Sequence, residues 1–129
     1  MIGIWGAHAQ TFMLVFAVLA AVAFALPMIF APLQWARVLQ WNIPEDTDLA
    51  VYALRCLGSL GLIVLLLAFR AAVTGEGLLF VYELFIPFFL LMVLVHIYGA
   101  IRKIQPMTET LEIGFWLILL VLAVCFMPS

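Results

Sequence analysis

Charged side chains are scarce in this 129-residue chain. Only 9% of the residues are Asp, Glu, Lys or Arg, whereas 69% are hydrophobic. A soluble domain is typically about 45–50% apolar and about 25% charged. A chain this short has no means of burying so much apolar surface in water, which excludes a water-soluble globular fold. With five Lys and Arg residues and a formal net charge of −2, the chain also lacks the basic patch that nucleic-acid binding requires.

Cysteine, serine and histidine are also scarce, and this excludes most catalytic and metal-binding motifs. Cys56 and Cys125 form no CxxC pair, and we expect both to be buried free thiols that behave as small hydrophobic residues. His8 and His96 fall on opposite sides of the predicted bundle, so no shared haem or metal site is expected between them. No Ser-His-Asp set, phosphate-binding loop or HExxH motif appears. The sequence therefore predicts no catalytic residue, no cofactor and no metal site.

Long apolar runs are what the chain does contain. The hydrocarbon core of a bilayer is about 30 Å thick and takes roughly 20 helical residues. Four segments are predicted to be spanning helices, residues 10–30, 49–71, 77–103 and 109–126, and the last is short for a full span. No Lys or Arg precedes Thr11, so the first run is predicted to be a membrane helix and not a signal peptide. We predict an all-α integral membrane protein, a four-transmembrane-helix bundle that forms one domain over residues 1–129.

Small residues recur on two of the predicted helices. Ala17, Ala21 and Ala25 are spaced four apart and share one face of the first helix. Gly58 and Gly61 make the second helix thin at the corresponding depth. Because small residues let two helix backbones approach closely in lipid, we expect these two faces to pack together.

Proline residues predict irregularities in two helices. Pro27 and Pro32 are expected to bend or end the first helix, because proline lacks a backbone N–H. Pro87 lies inside the third predicted helix, where the same missing hydrogen bond predicts a kink.

The connection between the first two spans, residues 31–48, mixes indoles with polar side chains. Trp35 and Trp41 alternate with Gln34, Arg37 and Gln40. Indole rings favour the headgroup level of a membrane, so this pattern predicts a short interfacial segment. The acidic run at its end is typical of a helix N-terminus, where the helix dipole favours negative charge.

The distribution of Lys and Arg predicts the orientation. Arg37, Arg55, Arg102 and Lys103 lie on the side of the first and third connections, whereas Arg70 alone lies on the opposite side. The positive-inside rule therefore places the connection-rich side in the cytoplasm. Both termini are then outside, in the periplasm if the protein resides in a bacterial inner membrane, which is the location we expect.

Two ionisable side chains flank the turn between the second and third spans. Arg70 and Glu83 are placed almost symmetrically about residues 76–77. In an antiparallel helix pair they would lie at similar depth, and charges at such depth usually pair. The spacing predicts a structural ion pair between Arg70 and Glu83; the alternative is a carboxylate for proton-coupled transport.

A second group of polar residues is predicted to form a layer on the cytoplasmic side. Arg55 and Ser59 share a face of the second helix, His96 lies near the end of the third, and Glu109 and Glu112 open the fourth. At 1.5 Å per residue, these groups fall within about a turn or two of one another in depth. They are the candidate ligand-binding residues, for a lipid headgroup, a quinone head or an anionic metabolite. The structural alternative is that Arg55 pairs with Glu112 and that His96 bonds a carbonyl.

His96 also ends an aromatic stripe. Phe85, Phe89, Met92 and His96 recur at helical spacing on one side of the third helix. A lipid-facing imidazole would leave a polar nitrogen unpaired, at a cost on the order of 1–3 kcal/mol. We therefore expect His96 to point into the bundle, within reach of Arg55 or Glu112.

Three functions are compatible with this pattern. The leading prediction is a non-enzymatic accessory or scaffold subunit that packs against a larger membrane complex, because small-residue faces favour helix association and no catalytic set is visible. Its expected partners are the lipid bilayer and other membrane subunits, or further copies of itself, and not nucleic acid. The first alternative is a small-molecule or lipid carrier that uses the cytoplasmic-side polar pocket. The second is a membrane enzyme acting on a lipid or quinone, with His96 as general base.

Overall fold

The computed structural model describes residues 2–128 and is helical along most of that range. Its helices are α1 (Gly6–Phe30), α2 (Pro32–Val38), α3 (Asp48–Thr74), α4 (Leu78–Arg102) and α5 (Met107–Phe126). All but α2 are long and apolar enough to cross a membrane, and residues 2–128 contain no strand. The all-helical fold with four long apolar helices is therefore confirmed, with boundaries within about four residues of the predicted ones.

Helix α1 continues past Pro27, which the sequence analysis expected to bend or end it. A π-helical turn at Ala21–Ala25 precedes the proline, and the helix ends at Phe30, just before Pro32. Because Pro27 has no N–H, the carbonyl four residues earlier, Ala23, needs another donor. The indole Nε1 of Trp35 donates to the Ala23 oxygen at 2.9 Å, and this bond joins α2 to α1.

Helices α1 and α3 pack through small residues, as predicted. Ala17 and Ala25 are each only 2% exposed. A Cβ added at Gly58 would lie 2.9 Å from the Ala25 oxygen and 2.8 Å from the Met28 Cβ, so only glycine fits this contact. The expectation for Gly61 was wrong, because a Cβ there would meet nothing within 4 Å.

Aromatic rings fill the space between α1, α4 and α5. The Phe16 ring centroid lies 4.9 Å from that of Phe85 and 5.2 Å from that of Phe89. Phe89 in turn lies 6.1 Å from Trp116 on α5. The predicted stripe on the third span therefore faces the core, and the bulky rings hold α1 and α4 farther apart than the small residues hold α1 and α3.

At the far end of this core, near the N-terminus of α1, a side-chain hydrogen bond joins α4 to α1. Tyr82 is fully buried, and its hydroxyl donates to the Ala9 oxygen at 2.9 Å. A buried phenol needs such a partner, because an unsatisfied hydroxyl is costly away from water. The bond fixes the start of α4 against the start of α1.

The segment between α2 and α3 folds over the opposite end of the bundle. The Thr108 hydroxyl donates to the Leu39 oxygen, and the Trp41 indole reaches Glu109. The predicted short segment thus contains a helix and then an irregular stretch that covers the ends of α4 and α5. This cover lies directly over the polar layer.

Candidate functional site

Three side chains of the predicted polar layer come together between α4 and α5. His96 is 4% exposed, and its Nε2 lies 3.0 Å from Glu109 Oε2 and 3.5 Å from Glu112 Oε2. We call these three residues the His–Glu centre. The expectation that His96 points into the bundle within reach of Glu112 is confirmed.

The local sequence explains why these residues meet. A short connection joins α4 to α5, so the end of one helix lies beside the start of the other. Glu109 and Glu112 are three residues apart and share the face of α5 that looks towards α4. Gly99 leaves room for the Gln105 side chain, whose Nε2 donates to the His96 carbonyl oxygen at 3.0 Å. This amide therefore ties the connection to the turn that carries His96.

Each member of the His–Glu centre has a further hydrogen bond. The His96 Nδ1 lies 2.7 Å from the Met92 carbonyl oxygen. The Trp41 indole donates to Glu109 Oε1 at 2.9 Å, and the Trp116 indole donates to Glu112 Oε2 at 3.3 Å. The three side chains are therefore fixed in orientation by groups outside the centre.

These bonds determine what the centre can bind. A carbonyl oxygen only accepts hydrogen bonds, so the His96 Nδ1 carries a hydrogen and Nε2 is the nitrogen that faces the carboxylates. Two carboxylates and one imidazole nitrogen, all largely enclosed, suit a positively charged partner. A proton or a metal cation meets this requirement, whereas an anionic ligand does not.

Two of the predicted layer residues lie elsewhere. Arg55 and Ser59 are exposed on the outer face of α3, and no carboxylate in residues 2–128 forms an ion pair with Arg55. The Ser59 hydroxyl donates to the Arg55 backbone oxygen at 2.7 Å. The expected convergence of Arg55 with His96 and Glu112 was therefore wrong. Depth along a helix was predicted, but the direction of the side chain depends on which face of α3 packs against α1.

The predicted pair of Arg70 and Glu83 is also replaced by another contact. The Arg70 guanidinium lies 3.7 Å from Glu76, and both side chains are largely exposed. Within residues 2–128, Glu83 forms no ion pair and faces outward. Glu76 pairs with Arg70 in place of Glu83 because Glu76 lies in the turn that directly follows α3. An exposed pair of this kind contributes little to stability, typically about 0–1 kcal/mol.

One of the two cysteines is exposed and the other is buried. Both are free, as predicted, but Cys56 is exposed on the outer face of α3 and only Cys125 is buried. The expectation that both thiols are buried was therefore wrong for Cys56, which lies next to Arg55.

A cavity of about 190 Å³ adjoins the His–Glu centre. His96 and Glu109 line it, together with Trp41, Tyr98 and Gln105. The cavity lies beside the connection between α4 and α5, at the end of the bundle.

Two supporting residues, Trp41 and Trp116, and the grouping of His96 with both glutamates were not predicted from the sequence. Trp116 follows Glu112 by four residues, a helical spacing that could have suggested their contact. Trp41 belongs to an irregular segment, and no periodic signal indicated that it reaches Glu109. The prediction of no metal site considered the histidines as a pair and did not combine His96 with the two glutamates.

No family model, curated protein or solved structure matches this chain.

Proposed function

We propose that this protein is a small accessory subunit that packs, through the outer face of α3, against another subunit of a membrane complex. The observation that carries the proposal is an outward-facing polar patch in the first half of α3, a helix whose other exposed residues are mostly apolar. We call Tyr52, Arg55 and Ser59 the α3 polar face. All three residues are exposed, and Tyr52 is 70% exposed.

Arg55 is the informative member of this face. It lies seven residues after the start of α3 at Asp48, which is about 10 Å along the helix. Ionisable side chains at such depth almost always face other protein or a water-filled cavity and pair there. Arg55 faces away from its own bundle and has no ion-pair partner within residues 2–128. A neighbouring helix that offers a carboxylate at this depth would supply one.

The surroundings of Arg55 also fit a protein partner. Helix α3 contacts α1 closely, but its opposite side carries exposed apolar residues such as Leu60 and Ile63. These apolar residues continue the exposed side of α3 beyond the α3 polar face. A partner helix that covers them contacts apolar and polar groups together, as membrane helix interfaces do.

The remaining predictions of location belong to the same proposal. We place the protein in a bacterial inner membrane, with the covered end of the bundle in the cytoplasm and both termini in the periplasm. The support is the excess of Lys and Arg at the covered end.

The two alternative functions have less support. A carrier for an anionic headgroup or metabolite would need a cation in the polar pocket, and Arg55 lies outside it. An enzyme with His96 as general base would need its Nε2 open to a substrate, whereas this nitrogen faces Glu109 and Glu112.

The proposal is tested by purifying the full chain from its native membrane in mild detergent and identifying co-purifying proteins by quantitative mass spectrometry. We expect one or more membrane proteins in fixed stoichiometry with the wild type. Arg55→Leu should lose them, because it removes the charge that the partner pairs with.

Arg70→Leu is the matched control, since it removes another exposed arginine of α3 but lies at the opposite end. This variant should keep its partners. Equal recovery of the same proteins with Arg55→Leu and the wild type would contradict the proposal.

A further inference from the structure

We infer that the His–Glu centre is a binding site for a first-row divalent transition metal ion, with Zn²⁺ as the best-matched ion. This inference is independent of the partner subunit proposed above, because the centre lies between α4 and α5 and not on α3. His96, Glu109 and Glu112 would each supply one ligand atom.

The geometry already approximates that of a metal site. One nitrogen of His96 and one oxygen of each glutamate all lie within 4.8 Å of one another. In a tetrahedral Zn²⁺ site with bonds of about 2.0–2.2 Å, neighbouring ligand atoms are about 3.3–3.6 Å apart. The observed separations of 3.0 and 3.5 Å from His96 Nε2 to the two carboxylates lie close to this value. Small side-chain adjustments would therefore admit the ion.

The charge of the centre favours a dication. Glu109 and Glu112 are only 13% and 18% exposed in their side chains, and two enclosed carboxylates repel each other. A proton on His96 would neutralise one of the two charges, whereas a divalent cation would neutralise both. Burial of charge is tolerated when it is paired or coordinates a metal.

The groups behind the three ligands match those that support known metal sites. Metal-binding histidines usually donate their other ring N–H to a carbonyl or carboxylate, and ligating carboxylates are themselves hydrogen-bonded. His96 donates from Nδ1 to the Met92 oxygen, which leaves Nε2 for the metal. Trp41 and Trp116 donate to the two glutamates. The ligands are therefore held in position before any ion arrives.

The donor atoms also select among metals. Imidazole nitrogen favours Zn²⁺, Fe²⁺ and similar ions over Mg²⁺ and Ca²⁺, which prefer oxygen-only sites. Three protein ligands leave a fourth position for water, and the adjoining cavity lies at the side of His96 and Glu109. The inference thus specifies a three-ligand site with an open position.

The test begins with the full chain in detergent, stripped of metal by a chelator and then titrated with Zn²⁺ in a calorimeter. We expect one Zn²⁺ per chain for the wild type. Glu109→Gln and Glu112→Gln should each weaken binding at least roughly tenfold, because removal of even a supporting group has that effect. Glu83→Gln is the matched control, since Glu83 lies on α4 at the opposite end and faces outward, and it should bind like the wild type.

X-ray absorption spectroscopy of the Zn²⁺-loaded wild type keeps the test independent of whether a variant folds. We expect nitrogen and oxygen ligands at about 2.0–2.2 Å, including one imidazole, and no sulfur ligand at about 2.3 Å. Absence of saturable binding by the folded wild type, wild-type affinity in a folded Glu109→Gln protein, or a zinc–sulfur distance that implicates Cys56 or Cys125 would each overturn the inference.

Discussion

Individual polar atoms inside this apolar molecule are satisfied by long-range partners. At Pro27 the missing backbone N–H leaves the Ala23 carbonyl without its usual donor, and the Trp35 indole takes that place at 2.9 Å. Water is absent from the core of a bilayer, so each such group needs an internal partner. The side chain of Trp35 therefore has a structural role, because it joins α2 to α1.

We predict that Trp35→Phe lowers the free energy of unfolding by about 0.5–1.5 kcal/mol, the usual contribution of one hydrogen bond. The measurement is reversible denaturation in detergent. Trp5→Phe serves as the control, because Trp5 lies 46% exposed at the other end of the bundle and keeps its contact with Phe126 through the ring. Equal loss in the two variants would mean that the indole N–H of Trp35 has no special role.

Pairs of helices in this protein meet at two different separations. Small residues bring α1 and α3 together around Gly58, whereas aromatic rings separate α1 from α4. In lipid the hydrophobic effect does not drive helices together, so packing of this kind and internal hydrogen bonds decide their arrangement. Helix α3 is therefore sensitive to added volume at Gly58.

Two glycines of α3 provide a matched comparison of this contact. Gly58→Ala should destabilise the protein by about 1–3 kcal/mol, because the added Cβ overlaps the backbone of α1 and forces the helices apart. Gly61→Ala should be neutral or stabilising by up to about 1 kcal/mol, because alanine is the better helix former and has free space there. Thermal unfolding of both variants in one detergent is the measurement. A Gly58→Ala protein as stable as Gly61→Ala would contradict the described packing.

The four long helices were predictable because the length of each apolar run can be counted directly in the sequence. The depth of His96, Glu109 and Glu112 followed from the helical rise, and their meeting was foreseen in part. The orientation of Arg55 was not predictable, because the face that α3 buries depends on its fit to α1, which is distant in the sequence. The irregular segment between α2 and α3 has no periodic sequence pattern, so contacts such as that of Trp41 with Glu109 were not predictable.

The orientation of the whole molecule in the membrane is a separate prediction. A cysteine at Asn42, in an otherwise cysteine-free chain, should react with a membrane-impermeant thiol reagent only after the membrane is opened. A cysteine at Glu76 should react in intact cells, because that turn lies at the opposite end. Both positions are exposed in the structure. Labelling of Asn42 without opening the membrane would reverse the proposed topology.

At the scale of the assembled protein, the outer surface of α3 differs from that of α4. Between Glu83 and Tyr98, the exposed residues of α4, such as Leu91 and Leu94, are all apolar. The α3 polar face interrupts this pattern with a phenol, a guanidinium and a hydroxyl. The account of function proposed for this chain depends on that difference.

Photo-cross-linking in the native membrane tests this account most directly. A photoreactive amino acid at Tyr52 should give a discrete adduct with a different protein, whereas the same group at Leu91 should react only with lipid. An adduct of twice the chain's own mass would identify a homo-oligomer in place of a larger complex. Lipid adducts alone at both positions would contradict the claim that the α3 polar face contacts another subunit.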